Sequence, residues 1–325
     1  MRKSLSFSRR TTPTSDQVID AAGLAKRFGR VTALDGLDLQ VRRHEVHGFL
    51  GPNGSGKSTT IRALLGQLRL DGGHAQVLGQ DPWRDAVAIH ERLAYVPGDV
   101  TLWPGLTGGE CIDVLGRFQG RANGARRDEL VERFALDPSR KTRTYSKGNR
   151  QKVALVAALA TDVELLLLDE PTAGLDPLME AEFQTCIRET MGQGRTVLLS
   201  SHILGEVEAL CDRVSIIRRG RTVRNGTLEE LRAETLTTVE ATLRHPIPDL
   251  AGAPGVESWH EHTLPDGATR ATVRVRAEAL TPVVSLLIAY QASGLVVAPP
   301  TLDELFLGQY HDAPEPAAAG GGEPV

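Results

Sequence analysis

The chain of 325 residues is long enough for more than one hydrophobic core, and two unequal domains are expected. Its 41% hydrophobic and 24% charged residues are those of an ordinary globular protein, and a net charge of -4 lacks the basic footprint of a dedicated nucleic-acid binder. Three scattered cysteines, Cys111, Cys186 and Cys211, with no CxxC spacing, indicate neither a disulfide framework nor a zinc site, and a reducing cytosol is the simplest setting.

Residues 1–16 read as a polar, disordered tail. Its Arg2, Lys3, Arg9 and Arg10 precede no apolar run, so it is no secretory signal; contact with anionic lipid is the minor alternative. From Val18 to Leu50, short strands alternate with turns, and Leu37, Leu39 and Val41 mark a half-buried one. Val46 to Leu50 runs into a glycine-rich loop, after which Ile61, Leu64, Leu65 and Leu68 predict a helix starting near Lys57. Residues from about Gly109 to Ala160 read mostly as helix, with loop signals at Gly120–Gly124 and Lys141–Gly148. Leu165–Leu168 and Thr196–Leu199 are continuous apolar runs, as in parallel strands buried on both faces, with a helical pattern over Pro177–Met191 between them.

Past about Thr235 the texture changes. Thr237–Leu243 reads as a strand, Pro265-Asp266-Gly267 as a turn, Ala271–Val275 as a strand, Glu278–Ser293 as a helix and Leu295–Ala298 as a strand. These predict a small α+β domain of βαββαβ-like order over 236–311, followed by a disordered tail, 312–325. No stretch reaches the roughly 18 to 20 apolar residues that span a bilayer. Pro282–Ala298 comes nearest and is broken by Ser285, Gln291 and Ser293. A membrane process served by this chain needs a second chain in the membrane.

The chemistry concentrates at three places. Gly51, Pro52, Asn53, Gly54, Ser55, Gly56, Lys57, Ser58 and Thr59 match G-x-x-x-x-G-K-[ST], the phosphate-binding P-loop. Glycines let successive N–H groups face a phosphate, and the next helix adds its positive end. Lys57 should reach the β- and γ-phosphates, and the Ser58 hydroxyl should ligate Mg²⁺. Leu165–Leu168 then ends in Asp169 and Glu170, two carboxylates at the carboxyl edge of a sheet. Asp169 is placed to hold Mg²⁺ through water, Glu170 to orient or deprotonate the attacking water. Alone, such a pair is more often a mere strand end; downstream of a P-loop the odds reverse. His202, after the strand Thr196–Leu199 and Ser200-Ser201, would face the γ-phosphate, although a lone histidine there is usually structural.

With these residues the sequence resembles the nucleotide-binding subunit of ABC transporters over roughly Val18 to Leu231. Gly51–Thr59 resembles the family's Walker A motif, Leu165–Glu170 its Walker B motif, Ala173–Asp176 its D-loop and Ser201-His202 its switch-histidine region. Tyr145–Asn149 stands where the family has its Leu-Ser-Gly-Gly-Gln signature, and Phe28 matches the aromatic that stacks on adenine. The resemblance implies a cassette over 17–235: a P-loop ATPase core with a mostly parallel sheet, an antiparallel β subdomain and a helical subdomain. It also implies ATP and Mg²⁺ as ligands, and a head-to-tail dimer sandwiching two ATP molecules. Ser146, Gly148 and Asp176 would there meet the nucleotide held by the other subunit. A separate permease and a place at the cytoplasmic face of the membrane follow from the same resemblance.

Two departures stand out. The signature carries Lys147 and Asn149 in place of its first glycine and its glutamine; Lys147 either adds charge near the phosphates or is solvated. In Tyr95–Asp99, Gly98 occupies the position of the Q-loop glutamine, a Mg²⁺ and γ-phosphate sensor, leaving Asp99 or water to substitute. The single cassette, the Gly98–Gly109 segment and the ending Thr301–Leu307 resemble ATPases of bacterial drug and antibiotic exporters, actinobacterial ones most of all. A soluble ABC ATPase acting on a ribosome or nucleic-acid complex is the alternative, but neither a second cassette nor a long coiled-coil insertion is visible. A P-loop kinase or GTPase would lack the Tyr145–Asn149 and Ala173–Asp176 segments. The domain at 236–311 reads equally as a packing domain for the dimer or as a regulatory one.

Overall fold

The computed structural model describes residues 16–298 apart from 119–120, 234–235, 245–246, 248–249 and 266. Residues 1–15 of the expected tail 1–16, the expected tail 312–325, the segment 299–311, Gly120 and Asp266 of the expected turn lie outside the described residues. The chain divides into two compact units, Met1–Thr227 and Leu228–Val325.

The first unit opens with β1 (Gln17–Phe28), β2 (Val31–Arg42), β3 (Val46–Leu50), α1 (Lys57–Leu64) and β4 (Gly72–Val77). There follow α2 (Ala86–His90), β5 (Leu93–Val96), α3 (Gly108–Phe118), β6 (Arg121–Ala122), α4 (Gly124–Arg133), α5 (Lys147–Leu159) and β7 (Thr161–Asp162). It ends with β8 (Leu165–Asp169), α6 (Pro177–Gly192), β9 (Thr196–Ser201), α7 (Leu204–Leu210), β10 (Arg213–Arg218) and β11 (Arg221–Thr227).

Two sheets share one core. The six-stranded sheet has the order β11-β10-β3-β9-β8-β5, parallel except for the edge strand β11. Every residue of β3, β8 and β9 is buried, as a strand covered on both faces requires. The second sheet, β2-β1-β4, is antiparallel. In β2 the alternation places Leu37, Leu39 and Val41 inward, where with Ile19 and Leu24 of β1 they meet Phe49, Leu165 and Leu198 of the large sheet and Ile61 of α1. Helices α3, α4 and α5 supply the helical part of the unit.

Helix α1 is shorter than the apolar spacing suggests. It ends at Leu64, and Leu68 lies beyond it. Gly66 adopts φ +68°, and the Gly66 and Gln67 N–H groups turn back to the carbonyls of Ala63 and Arg62, a glycine-terminated cap.

The second unit contains α8 (Leu228–Ala233), β12 (Thr237–Leu243), β13 (Val256–Thr263), β14 (Thr269–Val275), α9 (Leu280–Ala289) and β15 (Ser293–Ala298). Its sheet, order β13-β14-β12-β15, is antiparallel throughout. Two expectations differ from this. The split falls at Thr227, not Thr235, because α8 clusters with the second unit. The βαββαβ strand order is present, but among the described residues only a 3-10 turn, Leu250–Gly252, stands where its first helix would be. Leu250 of that turn is buried with Val239, Val273, Val283 and Leu287, so one apolar turn covers a share of the sheet that a helix would cover.

Candidate functional site

The carboxyl ends of β3, β9 and β8 lie side by side, and each carries one expected element of the site. From β3 the chain enters the loop Gly51–Gly56 and then α1. Two of its glycines are there for want of space: a Cβ on Gly51 would lie 2.6 Å from the Ile217 carbonyl oxygen, and one on Gly56 2.9 Å from that of Ala33. Gly54 and Gly56 also hold φ +78° and +114°, which residues with side chains resist. The Lys57 ammonium, 5% exposed, donates to the carbonyls of Gly51 at 2.6 Å and Pro52 at 3.3 Å. Burial holds it below the ordinary lysine range, with the Glu170 and Asp169 carboxylates pulling the other way.

At the end of β8, Asp169 is buried and accepts a short hydrogen bond from the Ser200 hydroxyl of β9. The Glu170 N–H reaches the Ser200 carbonyl at 3.1 Å, and Glu170 takes φ +47°, a strained value for a residue with a side chain. Strain held by neighbours at a strand end is a mark of positioning: its carboxylate oxygen Oε1 lies 3.7 Å from Lys57 Nζ and 3.2 Å from His202 Nδ1. The three sequence elements therefore meet at a single carboxylate.

The remaining expected residues fall into separate groups. Asn53, Gly54 and Ser58 are exposed and Thr59 is half-buried, on the loop and the first turn of α1. Phe28, 51% exposed at the end of β1, has the Lys26 ammonium 5.6 Å from its ring centre. Ser146 caps α5 by accepting the Asn149 N–H at 3.2 Å, and Asp176 caps α6 by accepting the Met179 N–H at 3.1 Å. Gly148 packs on the Gly174 carbonyl, and the stem of the exposed Lys147 lies over Gly174. Gly98 lies beside the Asp169 carbonyl, and Asp99 is exposed.

Several contacts were beyond sequence reasoning. Gln151 of α5, 1% exposed, donates to the Pro171 carbonyl at 3.0 Å, joining the helix that Ser146 caps to the chain just after Glu170. Thr172 and Ser201 both bond the buried carboxyl group of Glu206. A glutamate four residues after His202 was the available signal.

The fit to a phosphate-bearing ligand can be read from the donors. Ser55 Oγ is buried without a hydrogen-bond partner, and the Lys57 ammonium is spent on loop carbonyls that give way to stronger anionic acceptors. Among the described residues no cluster of three His, Cys, Asp or Glu side chains could by itself hold a metal.

Comparison with known proteins decides the family. The ABC transporter profile matches residues 34–173. The daunorubicin resistance ATP-binding protein DrrA3 of Streptomyces coeruleorubidus is 41% identical over 306 residues, 90% of this chain and 96% of that protein. This chain belongs to the ABC transporter ATP-binding family. The daunorubicin/doxorubicin resistance protein DrrA of Streptomyces peucetius is 39% identical, covering 69% of this chain and 68% of that protein. The linearmycin resistance protein LnrL of Bacillus subtilis is 33% identical over 66% and 70%. Among solved structures, an ATP-binding subunit of an ABC transporter superposes with TM-score 0.61 at 29% identity, covering 66% of this chain and 92% of that one. The post-hydrolysis dimer of the cassette MJ0796 with ADP and Pi shares the fold, with TM-score 0.58 at 22% identity over 65% and 98%. The chain is thus an ATP-binding ABC ATPase, and no helix among its described residues is long and apolar enough to cross a membrane.

Proposed function

We propose that this ABC ATPase powers export of a drug-like or antibiotic molecule through a separate permease, from the cytoplasmic face of the membrane. The observation that carries the catalytic half is the position of Glu170, in reach of Lys57 on one side and His202 on the other at adjacent strand ends. The export half is supported by the daunorubicin and linearmycin resistance relatives.

On this reading the P-loop amides and Lys57 bind and orient the ATP phosphates, and Phe28 supports the adenine. Ser58 and Asp169 would hold Mg²⁺, which when bound neutralises charge on the β- and γ-phosphates. Glu170 takes a proton from the attacking water, and His202 steadies both Glu170 and the γ-phosphate. The exposed Ser146 and Asp176, with the half-buried Gly148, are the group that a second copy of the cassette would use to close over the nucleotide. Loss of the bridging γ-phosphate then opens the dimer, which is how hydrolysis becomes movement in the permease.

The test is co-expression of the chain with its permease in a drug-susceptible host, with uptake of an anthracycline measured against a Glu170→Gln control. Lower drug accumulation that needs both chains and Glu170 supports the proposal. Co-purification of the chain with ribosomes and unchanged drug accumulation would turn the assignment to a soluble ABC ATPase.

A further inference from the structure

We infer that Glu206, on α7, is a positioning residue for ATP hydrolysis: its buried carboxyl group staples the segment carrying Glu170 to the segment carrying His202. The Thr172 hydroxyl donates to Oε1 of Glu206, and the Ser201 hydroxyl donates to Oε2 at 2.6 Å. Thr172 lies two residues beyond Glu170, in a turn closed by the Ala173 N–H on the Glu170 carbonyl at 3.1 Å and the Leu175 N–H on the Thr172 carbonyl at 2.9 Å. Ser201 directly precedes His202, and its hydroxyl accepts the Ile203 N–H at 2.9 Å, fixing the backbone on the far side of the histidine. One carboxyl group thus grips both chain segments, one oxygen to each.

The contact it serves cannot hold itself. Glu170 and His202 meet at 3.2 Å with side chains 28% and 44% exposed, and an exposed pair of this kind contributes little to holding its own geometry. Glu206, Thr172 and Ser201 are 8%, 6% and 1% exposed, where hydrogen bonds to a carboxyl group are stronger and costly to leave unmade. The buried staple is therefore the stiffer element, and the exposed pair takes its geometry from it. Displacing a reacting group by about 1 Å can cost about 100-fold in rate, so a residue with no place at the phosphates still governs turnover.

This inference rests on the reading of Glu170 as the base. In the full-length chain, Glu206→Gln keeps the volume and one acceptor but replaces the other oxygen by a donor. Thr172→Val removes one hydroxyl, and Thr172→Ser restores it. Steady-state hydrolysis, nucleotide affinity and thermal unfolding are measured for each. The expected result is a fall in kcat of about tenfold or more for Glu206→Gln and a smaller fall for Thr172→Val, with KM changed less than about twofold. Thr172→Ser should return to the wild-type rate.

A folded Glu206→Gln with wild-type kcat would overturn the staple, as would equal rates for Thr172→Val and Thr172→Ser if Glu206→Gln does not fold. A change in melting temperature without a change in kcat also counts against it, since a merely structural residue behaves so. Glu170→Gln separates the layers: wild-type turnover there removes the base reading and this inference with it. An inactive Glu170→Gln beside a fully active Glu206→Gln overturns the staple alone.

Discussion

The Cα of Gly148, in the first turn of α5, rests on the carbonyl oxygen of Gly174, so closely that a Cβ at position 148 would overlap it. On the proposed function both glycines belong to segments that a second cassette would meet, and the contact is backbone on backbone, so neither side can yield by rotating a side chain. Gly148→Ala should push the Gly174 turn aside and disturb Ser146 and Asp176 together. Hydrolysis should fall while affinity of the isolated chain for ATP is kept, with a stability loss of about 1 to 3 kcal/mol. Nucleotide titration beside a turnover assay checks this, and unimpaired turnover would show that the two segments move independently.

Glu170→Gln should retain ATP binding and cut turnover by about 10² to 10⁴, the usual range for a general base. The amide keeps the shape of the side chain but cannot take a proton from water. Lys57→Ala is the complementary case. It removes the cation that now rests on the Gly51 and Pro52 carbonyls, and should weaken nucleotide binding itself. If both variants lost affinity equally, Glu170 would be a binding residue and not a base.

Tyr145 opens the segment that the resemblance sets against the Leu-Ser-Gly-Gly-Gln signature, and the structure shows what accommodates its ring. Its hydroxyl donates to the Asp137 carbonyl, and a Cβ on Gly108 would collide with that hydroxyl. Gly108→Ala should destabilise the helical part by about 1 to 3 kcal/mol. In a Tyr145→Leu background the same change should cost less, because the oxygen it strikes is gone. A double-mutant cycle by thermal unfolding reads the coupling. Additive effects would mean that the backbone at Gly108, and not Tyr145, sets the requirement for glycine.

The parts legible in the sequence are those whose chemistry sits on one short stretch. Gly51–Thr59 spells its own loop, and Leu165–Leu168 and Thr196–Leu199 are apolar without interruption because β8 and β9 are covered on both faces. The strands β4, β5, β10 and β11 went unread, since their place depends on partners far along the chain: β10 pairs with β3, and β5 with β8. The role of Glu206 was hidden for the same reason, although its place four residues after His202 could be read. Its meaning comes from Thr172, brought to it across two strands. The first helix expected in the second unit failed differently, because strand order alone does not say how much chain a crossover needs.

An ion-pair network ties α4 to α6. Arg133 holds both oxygens of Glu189 at 2.9 and 3.0 Å and reaches Glu182, while Arg126 also reaches Glu189. The hydrogen bond from Arg133 is the main cause that holds the Glu189 carboxyl below the ordinary glutamate range. A carboxyl depressed in the folded state adds stability above its unfolded value and loses it as pH falls through the folded one. Arg133→Met should therefore lower the melting temperature at pH 7, and the gap to wild type should begin to narrow once pH falls below about 4.5 and go on narrowing below it. With Glu189 38% exposed, solvent screening limits the effect to about 1 kcal/mol. A gap that does not narrow at all as pH falls would assign it to lost packing of the arginine stem.

The resemblance sets Gly98 at the position of the Q-loop glutamine, and its surroundings explain why a side chain would be awkward there. A Cβ would sit 3.2 Å from the Asp169 carbonyl oxygen and 3.6 Å from Glu170 Cβ, so Asp169 or Gly98 would have to move slightly. Gly98→Gln should thus lower turnover even though it restores the family's residue. Asp99, next in the chain and exposed, is the nearest source of a charged oxygen, and Mg²⁺ prefers such an oxygen to an amide. Asp99→Ala should lower hydrolysis more than ATP affinity. A carboxylate that only shapes the turn after Pro97 would behave differently, since asparagine forms such turns equally well. Asp99→Asn keeps turn formation and removes the charge, so on the metal reading it should raise the Mg²⁺ concentration needed for half-maximal rate. Wild-type hydrolysis with an unchanged Mg²⁺ requirement would make Asp99 a turn residue and leave water to occupy the place of the missing amide.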